Sequence, residues 1–100
     1  MNITIENANE ITTAVLAGRL DTPATTEATP YFEQLQKAAG GTVVLDCTEL
    51  SYISSSGLRL FITLRKAATT KGGKVIVKNI NDNIRQVFMM TGFLNLFEIQ

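Results

Sequence analysis

A mixed α/β fold of order ββαβαβαβ, with about three helices, is predicted by three features of this 100-residue chain. Two strand-like runs, residues 3–6 and 11–17, follow each other with only turn residues between them. Beyond them, short apolar runs alternate with stretches of helical spacing. Glycine, proline or a capping residue marks each change from one to the other. Strands separated by helices are expected to lie parallel and to be joined by right-handed crossovers, leaving the opening hairpin as the antiparallel part of a mixed sheet.

Each element has its own warrant. Ile3-Thr4-Ile5-Glu6 alternates apolar with polar, the pattern of a half-buried edge strand. Asn7-Ala8-Asn9 supplies turn chemistry, and residues 11–17 make the second strand. Gly18-Arg19-Leu20-Asp21 leads out of it. Asp21 or Thr22 can cap a helix, and Pro23 suits a first helical turn. Pro30 removes a backbone donor within that helix, so a kink or a restart is expected there. Phe32, Leu35 and Ala39 carry the helical spacing on, and Gly40-Gly41 stops it. Thr42-Val43-Val44-Leu45-Asp46-Cys47 is a continuous run rather than an alternating one, as in a central strand covered on both faces. Leu50 and Ile53 then fall in a connection.

From Ser55 the spacing is helical again, with Leu58, Phe61, Ile62, Leu64 and Ala68 forming a broad apolar stripe. Lys71-Gly72-Gly73 closes this helix, the lysine suiting the negative end of its dipole. Residues 74–78 are the next strand. Asn81 or Asp82 caps a third helix with the stripe Ile84, Val87 and Phe88, and Gly92 ends it. Leu96-Phe97-Glu98-Ile99 is a short last strand. Residues 1–100 are expected to form one domain, the size of a typical single core.

Composition removes several function classes. Nine basic and nine acidic residues leave no net charge, so there is no basic surplus for nucleic acid. No apolar run is long enough for a membrane span, and the N-terminus lacks the pattern of a signal peptide. A cytoplasmic location is expected, in keeping with a single cysteine, Cys47, which reads as a buried small hydrophobe. The chain has no histidine, so a Ser-His-Asp arrangement is impossible. Gly40-Gly41 and Gly72-Gly73 lack the spacing of a phosphate-binding loop, and no metal-ligand spacing occurs. No catalysis, cofactor or metal is expected.

The serine run Ser54-Ser55-Ser56 before Gly57 is the best candidate site. It follows the central strand, and in open α/β sheets the functional crevice lies beyond the carboxyl ends of strands. Segment 18–21 is expected nearby. Serines at a helix start have two uses: capping backbone N–H groups, or accepting a phosphate. Arg59 lies in the first helical turn, where the dipole disfavours a cation. It either answers an anion or is a solvated surface arginine. Gly57 permits close backbone approach, by a partner or by the protein's own sheet.

At these residues the chain resembles the STAS domain, and within it the bacterial anti-sigma-factor antagonists. Gly18-Arg19-Leu20-Asp21 is similar to that family's Gly-x-Leu-Asp segment, and Val43-Val44-Leu45-Asp46 to its central strand. Tyr52-Ile53-Ser54-Ser55-Ser56-Gly57-Leu58 resembles its phosphorylation loop, with Ser54 standing where the family has aspartate. Residues 87–93 are similar to its last helix and ending. The resemblance implies a STAS-like fold and a partner-switching role in transcription regulation. The dephosphorylated protein would bind a cognate anti-sigma factor that is also a serine kinase. Phosphorylation at Ser55, with Ser56 as the second choice, would release it, and a PP2C-type phosphatase would reset it. Asp21, Ser54, Ser55, Ser56, Gly57 and Arg59 are the expected contact residues, in a monomer or a weak dimer. A second role seen among similar stand-alone domains is that of a scaffold subunit in a lipid-transport ABC complex, with no phosphate cycle.

Overall fold

The computed structural model describes all residues, Met1–Gln100. Its elements run β1 (Asn2–Ala8), β2 (Ile11–Leu20), α1 (Thr22–Lys37), β3 (Thr42–Ile53), α2 (Ser55–Lys71), β4 (Lys74–Lys78), α3 (Asp82–Thr91), a 3-10 turn (Phe93–Asn95) and β5 (Glu98–Ile99). The five strands lie side by side in chain order. β1 pairs antiparallel with β2, and every later pairing is parallel. The expected order and the mixed sheet are both present.

The hairpin turn sits later than the sequence suggests. Asn7 and Ala8 remain paired in β1, and the two-residue turn is Asn9-Glu10. Both have positive φ, 53° and 66°, which is the demand of a hairpin turn whose twist matches its strands. β1 shows the alternation expected of an edge strand, with Ile3 and Ile5 half-buried between exposed Asn2, Thr4 and Glu6.

β2 and β3 are longer than the sequence pattern indicates. Gly18, Arg19 and Leu20 belong to β2 and pair with Leu50, Tyr52 and Ile53 of β3. Leu50 and Ile53 are therefore strand residues and not part of a connection. Between the pairs Val15–Asp46 and Ala17–Glu49, and again between Gly18–Leu50 and Arg19–Tyr52, β3 advances one residue more than β2. Each extra residue is a bulge. The inward residues of β3 are then Cys47, Leu50 and Ile53, spaced by three.

α1 is also more regular than expected. It continues through Pro30 without a break. Pro30 and Thr26, four residues before it, are both exposed, so the carbonyl left without a backbone donor faces water. Asp21 is the cap, and its Oδ1 accepts from the Ala24 N–H at 3.0 Å. α2 ends at Gly72, which adopts φ 78°, a left-handed conformation suited to glycine.

One cluster of 23 buried residues forms the core. It gathers Phe32 of α1, Phe61 of α2 and Phe88 of α3 over inward residues of β2, β3 and β4 such as Leu16, Leu45 and Val77. Phe61 stands between Phe32 (centroids 5.7 Å apart) and Phe88 (6.2 Å). All three helices thus cover the same face of the sheet. Val44 and Ile76, which pair across β3 and β4, lie outside this cluster. Both are nevertheless buried, so the central strand is covered on both faces as expected, with the helices on one of them.

Candidate functional site

β2 and β3 finish level with one another, Leu20 beside Ile53. The Ser54 N–H extends the ladder by one bond, donating to the Leu20 carbonyl at 2.9 Å. The next residue on each strand is a helix cap: Asp21 for α1 and Ser54 for α2. Two helix N-termini therefore open side by side at the carboxyl end of the sheet. α2 leaves the first N–H groups of its dipole's positive end unpaired, whereas at α1 Pro23 has no N–H and Asp21 accepts from Ala24 and Thr25.

The three serines do different things. Ser54 is buried, and its hydroxyl accepts from the Gly57 N–H at 3.2 Å. Ser55 is the first residue of α2 and is exposed. Ser56 is half-buried. Helical geometry and the inward cap account for this order, because the chain turns by about 100° per residue from Ser55 onward. Only Ser55 is fully presented to a macromolecule.

Gly57 is buried on top of the strand ends. A Cβ built there would lie 2.8 Å from Leu20 Cγ and 2.9 Å from Ile53 Cγ1, closer than van der Waals contact allows. The close approach that glycine permits is thus to the protein's own sheet. Ser54 and Gly57 set the position of Ser55 and do not line the surface themselves. Of the other expected contact residues, Arg59 is exposed one turn beyond Ser55, and Asp21 is half-buried at the neighbouring cap.

Two further residues at this rim were not picked out from the sequence. The Arg19 guanidinium lies over the Tyr52 ring, 4.4 Å from its centroid, and Tyr52 is 41% exposed. Arg19 Nε also lies 4.0 Å from Asp21 Oδ2, a loose and exposed pair of small energetic weight. The stacking depends on the cross-strand pairing of residues 19 and 52. That pairing follows only after both bulges have shifted the register, so no local pattern could reveal it. The surface that results holds a hydroxyl, an aromatic ring, two arginines and one carboxylate.

The remaining reactive groups lie elsewhere. Cys47 is buried, and desolvation, assisted by the charge of Asp46, pushes its thiol up to about 12. It is protonated and inert at neutral pH. Asp46 is held below its usual value first by the Thr48 hydroxyl, which donates to Oδ1 at 2.6 Å. No helix is long and apolar enough to cross a membrane. No group of three or more metal-ligating side chains occurs.

Comparison with known proteins bears on the family and the fold. The STAS domain family model matches residues 2–100. A candidate anti-sigma factor antagonist of Bordetella bronchiseptica, BtrV, is 37% identical over 57 residues, which is 57% of this chain and 49% of BtrV; the match thus spans about half of that relative's length. The anti-sigma-B factor antagonist of Listeria monocytogenes is 27% identical over 103 residues, covering 100% of this chain and 90% of that protein. Among solved structures, the Bacillus cell fate determinant SpoIIAA in its phosphorylated form superposes with a TM-score of 0.75 at 22% identity, over 99% of this chain and 91% of that one. The likeness to SpoIIAA is one of fold.

Proposed function

This chain belongs to the STAS domain family, and from that premise we propose that it is an anti-sigma-factor antagonist whose docking is switched by phosphorylation of Ser55. The observation that carries the reading is the exposure of Ser55 at the first position of α2, on a rim beside a second helix N-terminus. Its relatives in Bordetella and Listeria bear antagonist names, and the SpoIIAA structure named above is of a phosphorylated protein.

The physics of the switch follows from that position. A phosphate adds about −1.5 to −2 charge at neutral pH. At a helix N-terminus it meets roughly +0.5 of dipole charge and unpaired N–H donors, so the fold tolerates it. A docked partner would have to desolvate the same group, and an unpaired buried charge costs several kcal/mol. Since about 1.4 kcal/mol is tenfold in affinity, binding falls by orders of magnitude. The modification is thus cheap for folding and expensive for docking.

Ser54 fits the scheme despite standing where the family motif carries aspartate. Its hydroxyl performs the capping task that an aspartate at this position can perform, and α2 starts normally. The role assigned is binding and not catalysis. The partner is an anti-sigma factor with serine-kinase activity, bound when Ser55 is unmodified, and a PP2C-type phosphatase restores that form. The chain acts as a single STAS domain in the cytoplasm.

Titration calorimetry with a purified anti-sigma kinase from the same cell tests this reading. The unmodified chain and Ser55→Ala should bind alike. Ser55→Asp should keep its circular dichroism and bind about 100-fold more weakly or worse, the result of a buried charge without a partner. Equal affinity for Ser55→Asp and the unmodified chain would overturn it.

A further inference from the structure

We propose that Arg59 is the intramolecular partner of a phosphate on Ser55, so that phosphorylation both adds a dianion to the docking rim and withdraws a cation from it. This deepens the switch assigned to Ser55 and rests on that assignment.

The placement supports the pairing. Ser55 and Arg59 are both exposed and four residues apart on α2. Side chains at that spacing are neighbours, with Cβ atoms about 5–6 Å apart. The Arg59 guanidinium reaches back along the helix toward position 55, since helical side chains lean toward the N-terminus. The planar fork of arginine matches two phosphate oxygens at once.

Charge accounting supports it independently. The protein has two ion pairs, Arg19–Asp21 and Lys74–Glu98, and Arg59 is in neither. α2 holds four basic residues, Arg59, Arg65, Lys66 and Lys71, and no acidic residue. Arg65 and Lys71 donate to the carbonyls of Leu96 and Gln36, and Lys66 lies about two helical turns beyond Arg59. Arg59 is therefore a cation without an ion-pair partner, one turn beyond the start of α2. Without phosphate it is free to meet an anionic group of the partner. With phosphate it is engaged at home.

The experiment needs no kinase. Phosphoserine is installed at position 55 by genetic encoding, and the phosphate is titrated by phosphorus NMR. The second ionisation, near 6 for a free phosphoserine, should fall by about half a unit in the wild-type chain relative to Arg59→Gln. Arg59→Lys should restore part of the shift. Lys66→Gln should leave it unchanged. The Arg59 Nε–H resonance should move on phosphorylation. Identical titration curves for wild type and Arg59→Gln, with an unmoved Arg59 resonance, would overturn the pairing. Because the phosphate is supplied, this failure is distinct from a finding that Ser55 is never phosphorylated in the cell.

Discussion

The switch proposed at Ser55 needs its neighbours to be held elsewhere, and Gly57 is the residue that allows it. Any side chain at position 57 would collide with Leu20 and Ile53 at the strand ends. Gly57→Ala gains about 1 kcal/mol of helix propensity, but crowding a packed site costs about 1–3 kcal/mol. Both clashing partners are themselves buried, so little room exists for relief. Gly57→Ala should lower the stability measured by urea unfolding, by about 1 kcal/mol and at most about 2 kcal/mol net of the propensity gain. An unchanged or higher midpoint would show that the helix start can move off the sheet. At this scale the sequence was informative wherever a role is local. A capping hydroxyl and a glycine before an apolar stripe can each be read from spacing. The role of Ser54 against that of Ser55 could not, because burial decides it and burial belongs to the packed structure.

Regular elements were legible where their periods are unbroken. α2 and α3 carry apolar stripes bounded by a cap and a left-handed glycine, and both run close to the expected limits. β3 was only half legible, since two bulges replace an inward period of two by a period of three at Cys47, Leu50 and Ile53. The same bulges bring Arg19 over Tyr52, so missing them also hid half of the rim. α1 differs from its sequence pattern in the opposite direction. Pro30 signals a break in isolation, yet Ala28, Phe32 and Leu35 on the buried face anchor the helix on both sides of it. Tertiary packing outweighs the local penalty, which is about 3 kcal/mol for proline in a helix interior. Pro30→Ala should therefore stabilise the protein by about 1–3 kcal/mol, read from the shift in its urea midpoint. No gain would mean that the helix bends at Pro30 in solution.

The molecule as a whole divides its charge. Residues 1–50 hold seven acidic and two basic side chains, and residues 51–100 hold two acidic and seven basic. The strands lie in chain order, so this division also runs across the sheet, from the β1 side to the β5 side. A net charge of zero conceals a strongly dipolar surface, which orients an approaching partner. Ser55 begins the helix that starts the basic half, so an added dianion falls where it offsets the prevailing positive charge. The central claim is that this one hydroxyl decides docking. The direct measurement is phosphosite mapping of the protein recovered from its native cells, with the free pool separated from the kinase-bound pool. Phosphate on Ser55 in the free pool, and its absence from the bound pool, is the predicted result. Phosphate shared equally between the two pools, or none on Ser55 in either, would contradict it.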